Sequence, residues 1–311
     1  MSRDPHSYDA RDSWDHVPPR SVLALRGHST ESRENQDDTV FDSERDIAAS
    51  DSQQSDRPKP EETDSARASY LKDRPYVLRE SELHALGEIG KFRVVAAGDL
   101  AKYGYAGDRA RFERELGHLK QQSLVTDRTI EVSRKKTLRI LTLTKTGQRL
   151  LSATNRLPED QATYHGLAKP REAKHDADLY RLYQKESARI GREGGTPVRV
   201  ILDYELKRAL NRDLNQPGQD QDPETKQRIA EKHGLQVVDG RIPLPDLRIE
   251  YQTTEMESRH VDVELATHHY RPSGITQKAK AGFSLYSPAD DAPRLRRILN
   301  DRELTATILG L

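Results

Sequence analysis

The sequence contains no cysteine. That excludes disulfides, cysteine-ligated zinc and a thiol nucleophile, and it is compatible with a reducing compartment. Aromatic residues make up only 5% of the chain, against 33% charged residues, a balance too polar for 311 residues that all fold. No apolar stretch approaches the ~18 residues of a membrane span. No apolar segment follows a basic start as it does in a secretory signal, so a cytoplasmic protein is expected. There is no internal repeat, no glycine-rich phosphate loop and no Gly-x-Ser-x-Gly elbow.

The polarity is concentrated at one end. Residues 1–70 hold 16 acidic and 9 basic residues, a net charge of −7, and the formal charge of the whole chain is zero, so residues 71–311 carry +7. The one apolar run in the acidic part is Val22-Leu23-Ala24-Leu25. Such a stretch buries too little apolar surface to offset its conformational entropy, and residues 1–74 read as a disordered acidic tail. It is either a solvated leader or an acidic arm set against the basic body.

Residues 75–155 read as a first domain. Ser81-Glu82 suits a helix start, and Leu83, Leu86 and Ile89 recur at helical spacing. Phe92 to Val95 reads as a short extended piece, and Asp99 to Tyr103 as a second short helix stopped by Gly104. Gly107-Asp108 opens a third helix, whose Phe112, Leu116 and Leu119 form one apolar stripe. Arg111 and Arg114 lie off that stripe, and Arg109 and Lys120 flank it. Ile130 and Val132 alternate on one strand and Leu138 and Ile140 on the next, with Arg134, Lys135 and Lys136 at the tip between them. Leu-Thr-Lys-Thr-Gly-Gln-Arg-Leu-Leu (143–151) then leads into another helix.

Helix, short helix, basic helix, basic-tipped hairpin, helix is the order of a winged helix-turn-helix, and the 143–151 segment resembles the step after the wing in prokaryotic winged-helix regulators. An arginine-bearing helix suits the major groove of DNA, and a cationic hairpin suits phosphates or the minor groove. The expected DNA contacts are Arg109, Arg111, Arg114, Lys120, Arg134, Lys135 and Lys136. Double-stranded DNA is the expected partner, and a homodimer is an allowed assembly.

Residues 156–172, with Pro158, Gly166 and Pro170, read as a linker. A second domain follows over 173–311. His175-Asp176 starts an amphipathic helix with Leu179, Leu182, Tyr183 and Ile190 on one side. Val198 to Leu202 reads as a strand, 211–224 as loop and Thr225 to His233 as a short helix. Ile242 to Tyr251 reads as a strand entered through Pro245-Asp246, and Arg259 to Thr267 as its neighbour, which carries Glu264 18 residues after Asp246. A helix over 275–282 bearing Lys278 and Lys280, a strand over 283–286 and a helix over 293–300 complete it.

Pro-Asp on one strand and Glu on the next, between helices, resembles the PD-(D/E)xK nuclease core. That resemblance implies that Asp246 and Glu264 hold Mg²⁺, which polarises the phosphate and activates water, while a lysine stabilises the developing charge. The position two after Glu264 is Ala266, where the pattern asks for lysine; Lys278 or Lys280 on the following helix is the displaced candidate, and Lys278 is taken with Asp246 and Glu264 as the catalytic set. Asp203 and Glu205 are candidates for a third carboxylate. The winged helix followed by Leu-Pro-Asp-Leu-Arg-Ile (244–249), Val-Glu-Leu-Ala-Thr (263–267) and Lys-Ala-Lys-Ala-Gly-Phe-Ser-Leu-Tyr (278–286) resembles the replication-relaxation proteins of bacterial plasmids and mobile elements over about residues 77–290.

The expected fold class is therefore α+β, an N-terminal winged helix-turn-helix followed by an α/β restriction-endonuclease-like domain with a mixed sheet. Three functional readings remain open. One is a DNA-binding accessory factor in replication, relaxation or mobilisation, with a degenerate nuclease-like domain that needs no cofactor. The second is an active Mg²⁺-dependent endonuclease, and the third a winged-helix transcriptional regulator.

Overall fold

One hairpin and four helices of the first half are built from the residues that the apolar spacing marked, and a second hairpin precedes them. The computed structural model describes residues 67–311 except 72–73, 134–135, 168–169, 217–221, 268–269, 303 and 305. The acidic segment 1–66 lies outside the described residues. All described residues fall in one compact unit. No helix among them is long and apolar enough to cross a membrane.

The first strands lie further toward the N terminus than the composition suggested. Strands β1 (Arg67–Leu71) and β2 (Arg74–Leu78) form an antiparallel hairpin, with Ala68 opposite Val77. The part read as tail therefore ends before Arg67. Tyr76 and Leu78 alternate with exposed residues and are buried, which is the period-two signature of a half-buried strand.

Helix α1 (Glu80–Lys91) starts one residue before Ser81. The Glu82 carboxylate accepts the backbone N–H of Arg79 at 2.7 Å and so satisfies a donor at the helix start. Of the extended piece read at Phe92 to Val95, only Val95 is in a strand, β3 (Val95–Ala96). Helices α2 (Ala97–Gly104) and α3 (Arg109–Gln121) are joined by a tight turn in which Ala106 and Gly107 are left-handed. Asp108 caps α3 by accepting the N–H of Arg111 at 2.9 Å. Strands β4 (Val125–Ser133) and β5 (Lys136–Leu143) pair antiparallel, with Ile130 opposite Leu138, and β3 adds to β5 to give the order β3-β5-β4. Thr144 then caps α4 (Lys145–Ala153) through the N–H of Gly147.

The second half is a five-stranded mixed sheet. Helix α5 (Ala173–Arg192) leads to β6 (Thr196–Leu202), α6 (Asp203–Leu214) and α7 (Pro223–Lys232). Strands β7 (Leu247–Gln252) and β8 (Ser258–Leu265) follow, then α8 (Pro272–Lys280), β9 (Ser284–Ser287), α9 (Ala292–Asn300) and β10 (Ile308–Gly310). The strand order is β10-β9-β8-β7-β6, antiparallel from β6 to β8 and parallel from β8 to β10. Most boundaries differ from the sequence reading by one to three residues, α8 starting at Pro272 rather than Ile275 and β8 ending at Leu265 rather than Thr267, and two differ by more. The loop expected at 211–224 starts only after Leu214. Strand β7 starts at Leu247 rather than Ile242, because Pro243 and Pro245 have no N–H to give a ladder.

The two halves share one core. Tyr180 of α5 is fully buried, with its ring edge-on to Phe92 at 5.3 Å and to Tyr103 at 6.3 Å. Leu179, Leu182 and Ile190 belong to the same apolar cluster as Leu247, Ile249 and Val263 of the sheet. Residues 156–167, read as a linker, are bonded to both halves. Tyr164 N–H donates to Gly90 and Gly166 N–H to Leu143, each at 2.8 Å, and the Gln161 amide bonds both backbone groups of Val200 at 2.9 Å.

Candidate functional site

Two groups of residues were singled out by the sequence, and the structure treats their members differently. On α3, Arg109 and Arg114 are exposed and form no ion pair with any described residue. Arg111 instead lies along the helix, its Nε donating to the buried Glu115 at 2.8 Å. Lys120 reaches Asp127 on β4 at 2.9 Å. Lys136 is exposed at the start of β5, and Arg134 and Lys135 lie outside the described residues. The sequence reading passed over Arg128, exposed on β4, and Arg139 on β5. Arg139 clamps the hairpin to α3: it donates to Asp127 at 3.0 and 2.8 Å and to Glu113 at 3.0 Å. The hairpin is thereby fixed beside α3, and the exposed cations Arg109, Arg114, Arg128 and Lys136 belong to one rigid unit. Gly117 sits within this helix where an added Cβ would meet nothing within 4 Å, so no packing among the described residues requires a glycine there.

The second group is a buried charge cluster. The antiparallel register sets Leu247 against Val263, which brings Asp246, just ahead of β7, opposite Glu264 on the same face of the sheet. The two residues clamp each other's strands. Asp246 N–H donates to Glu264 Oε2 at 3.1 Å, and Leu265 N–H donates to Asp246 Oδ2 at 2.8 Å. Glu264 is 0% exposed. From α8, Lys278 Nζ lies 2.9 and 3.0 Å from its two oxygens and also donates to the carbonyl of Leu244. Tyr270 donates its hydroxyl to Glu264 Oε1. From the start of α5, His175 Nε2 is 3.5 Å from Asp246 Oδ1.

Lys278 is thus the lysine brought to the carboxylates. Lys280 turns to Asp239 at 3.2 Å. Asp203 pairs with Arg93 at 3.3 Å, and Glu205 accepts from Tyr164 and from Leu202 N–H, so neither joins the pair. His175, read as a helix-start residue, and Tyr270 were not anticipated; His175 comes from a helix remote in sequence, and Tyr270, six residues after Glu264, comes from outside any regular element, where no periodicity announces it.

Burial and the neighbouring Asp246 push the Glu264 carboxyl up to about 7, against the pull of Lys278 and Tyr270. Burial disfavours the His175 imidazolium, but the hydrogen bond and charge of Asp246 outweigh that and raise it to about 9. Burial likewise opposes ionisation of Asp246, and His175 and Lys278 hold it below the usual carboxylate range.

These shifts fix the sign of a pH dependence. Glu264 and His175 both have raised folded-state values, so both bind protons more tightly when folded, and stability falls as pH rises, through 4.5–7 for Glu264 and 6.5–9 for His175. Asp246 acts oppositely, its stabilisation being lost only as pH falls through the carboxylate range. His175 is 40% exposed, which screens its pair to about 1 kcal/mol. Urea unfolding at pH 7 and pH 9.5 is expected to show that loss in the wild type, and His175→Gln to abolish most of it.

Asp246 and Glu264 do not fit a divalent ion in this arrangement. Each oxygen of Glu264 already accepts from two donors, and the two carboxylates are balanced by an ammonium and an imidazole held protonated. A hard cation needs free oxygen ligands and surplus negative charge. Among the described residues, no group of three or more His, Asp or Glu is placed to hold a metal. Mg²⁺ would have to displace Lys278 and face a charged His175.

No family model matches the chain, and no curated protein does. Among solved structures, Bacillus subtilis PadR in complex with operator DNA matches with a TM-score of 0.21 and 15% identity, over 49% of this chain and 91% of that one. That likeness is too low to identify a shared fold.

Proposed function

We propose that this protein binds double-stranded DNA through a winged helix-turn-helix in which α2 and α3 form the helix-turn-helix and the β4–β5 hairpin is the wing. The observation that carries this reading is the set of exposed cations on α3 and the hairpin. Arg109 and Arg114 have no ion pair among the described residues, and Arg139 fixes the hairpin to the same helix. Gly117 fits the same surface, since a helix-interior glycine costs roughly 0.5–1 kcal/mol relative to alanine and its position lets a partner approach the backbone. The C-terminal half acts as a nuclease-like domain without cleavage activity, because Lys278 and Tyr270 occupy the oxygens of Glu264 and His175 lies beside Asp246. Together with the replication-relaxation resemblance, this describes an accessory factor of a plasmid or mobile element, acting in replication, relaxation or mobilisation.

A second reading, an active endonuclease, is favoured by one observation, the convergence of Asp246, Glu264 and Lys278. It requires Lys278 to leave Glu264.

Salt dependence of duplex binding tests the first reading. With about four phosphates neutralised by Arg109, Arg114, Arg128 and Lys136, log affinity falls against log salt with a slope of about −3 to −4. Fluorescence anisotropy on a labelled duplex gives that slope. No binding at low salt, or a slope near zero, would remove the proposal.

A further inference from the structure

Away from both sites, the sheet and helices α6 and α7 enclose a groove of about 630 Å³. Its charge is lopsided. Arg199, Arg208, Arg212, Lys232 and Arg248 line it, against Glu205 and Glu250. Arg248 is buried and committed to structure, donating to Asp262 and to the carbonyls of His233 and Gly234. Glu205 is likewise taken by Tyr164. Lys232 is exposed but held by Asp213 at 2.8 Å, which leaves Arg208 and Arg212, both exposed and with no ion pair to any described residue. In the wall between them and the sheet, Arg199 is paired through Nη1 with Asp160 at 2.6 Å and Glu250 at 3.6 Å, while its buried Nε has no hydrogen-bond partner among the described residues.

These cations come with an aromatic. Tyr204, Arg208 and Arg212 stand at i, i+4 and i+8 on α6, one row about 12 Å long. Tyr204 is 38% exposed, and its ring is held by the edge of Tyr164 at 5.5 Å and by Arg93 at 5.8 Å. An exposed aromatic in line with unpaired arginines is the arrangement that stacks a base and follows its backbone. The volume admits a small ligand or one to two nucleotides, and a duplex keeps its bases stacked away from such a ring.

We propose that this groove binds a short stretch of single-stranded nucleic acid, with phosphates on Arg208 and Arg212 and a base on Tyr204. The site is separate from α3, so the protein holds duplex and single strand on different surfaces.

The test is anisotropy of the full chain with a labelled oligothymidylate of about ten nucleotides, run beside a labelled duplex. Arg208→Ala/Arg212→Ala is expected to weaken single-strand binding about tenfold and to reduce the salt slope by about 1.4. Tyr204→Leu is expected to weaken it by a similar factor with the slope unchanged. Both variants keep the wild-type melting temperature and duplex affinity, and Arg109→Ala/Arg114→Ala leaves single-strand binding intact. Unchanged single-strand affinity in both groove variants overturns the proposal. So does its loss in the α3 variant instead, or equal displacement by duplex or by polyglutamate, the latter marking a general anion surface. Failure of duplex binding alone would count against the α3 reading and leave this one standing.

Discussion

Replacing Arg109 and Arg114 together with alanine weakens duplex binding by about a hundredfold and leaves the melting temperature unchanged. The size follows from two lost contacts, each worth ~1–3 kcal/mol if it reaches a base edge and less if it reaches a phosphate. The unchanged stability follows from the structure, because neither side chain is tied to another described residue. Arg111→Ala is a poorer probe of the same helix. It strips the buried Glu115 of its guanidinium and leaves that carboxylate with the Ser81 hydroxyl at 2.7 Å. A fall in affinity there would mix lost contact with a cost of ~1–3 kcal/mol for a buried group left short of donors. Anisotropy paired with thermal melting separates the two cases.

Gly147→Ala destabilises the protein by about 3 kcal/mol or more, a large fraction of an ordinary stability of about 5–15 kcal/mol. A Cβ at this position would lie 2.1 Å from the backbone oxygen of Leu124 and 3.0 Å from its carbonyl carbon. Both are backbone atoms, so no rotamer change relieves the clash. The close approach has a cause. Thr144 N–H donates to the same Leu124 oxygen at 2.9 Å, and the Thr144 hydroxyl donates to the Ser123 carbonyl. The start of α4 is thus seated on the turn between α3 and β4, and this seat sets where the hairpin leaves the helix. Urea unfolding of the variant is the measurement. A cost below about 1 kcal/mol would mean that α4 shifts freely, and that the hairpin is not held as described.

That glycine marks how far the sequence could be read. The segment 143–151 was legible as a strand leading into a helix, and the structure adds Thr144 as its cap. What required glycine at 147 was contact with Leu124, which lies in another element and leaves no local trace. The same division runs through the molecule. The stripe Phe112, Leu116, Leu119 gave α3, because a surface helix buries one face at a 3.6-residue period. Helix α5 was harder. Tyr180 is buried along with Leu179 and Leu182, since α5 packs against both halves, and two-sided burial blurs the period. Hairpin β1–β2 was hidden because its few apolar residues adjoin a long polar stretch, and β10 because three residues beside a parallel neighbour carry no pattern.

The candidate sites divide in the same way. The spacing of 18 residues between Asp246 and Glu264 becomes direct opposition once β7 and β8 pair, so that pairing was foreseeable. Which lysine would join them was not, since Lys278 and Lys280 lie two apart on one short helix and only packing turns Lys278 inward. The same holds for the α3 cations: all four are alike in sequence, yet Arg111 and Lys120 are engaged by carboxylates inside the fold. Exposed helical positions are visible as positions off the apolar stripe, but their ion pairs depend on neighbours that the stripe does not encode.

The central claim is that this protein binds DNA without cutting it, because Lys278 and Tyr270 occupy Glu264 and the protonated His175 sits beside Asp246. Supercoiled plasmid incubated with Mg²⁺ or Mn²⁺, with binding followed in the same mixture, tests it most directly. The account predicts plasmid that is bound and stays supercoiled, for the wild type and equally for Asp246→Ala and Glu264→Ala variants that remain folded. Nicking by the wild type that disappears in both variants would contradict it and establish a metal-dependent endonuclease.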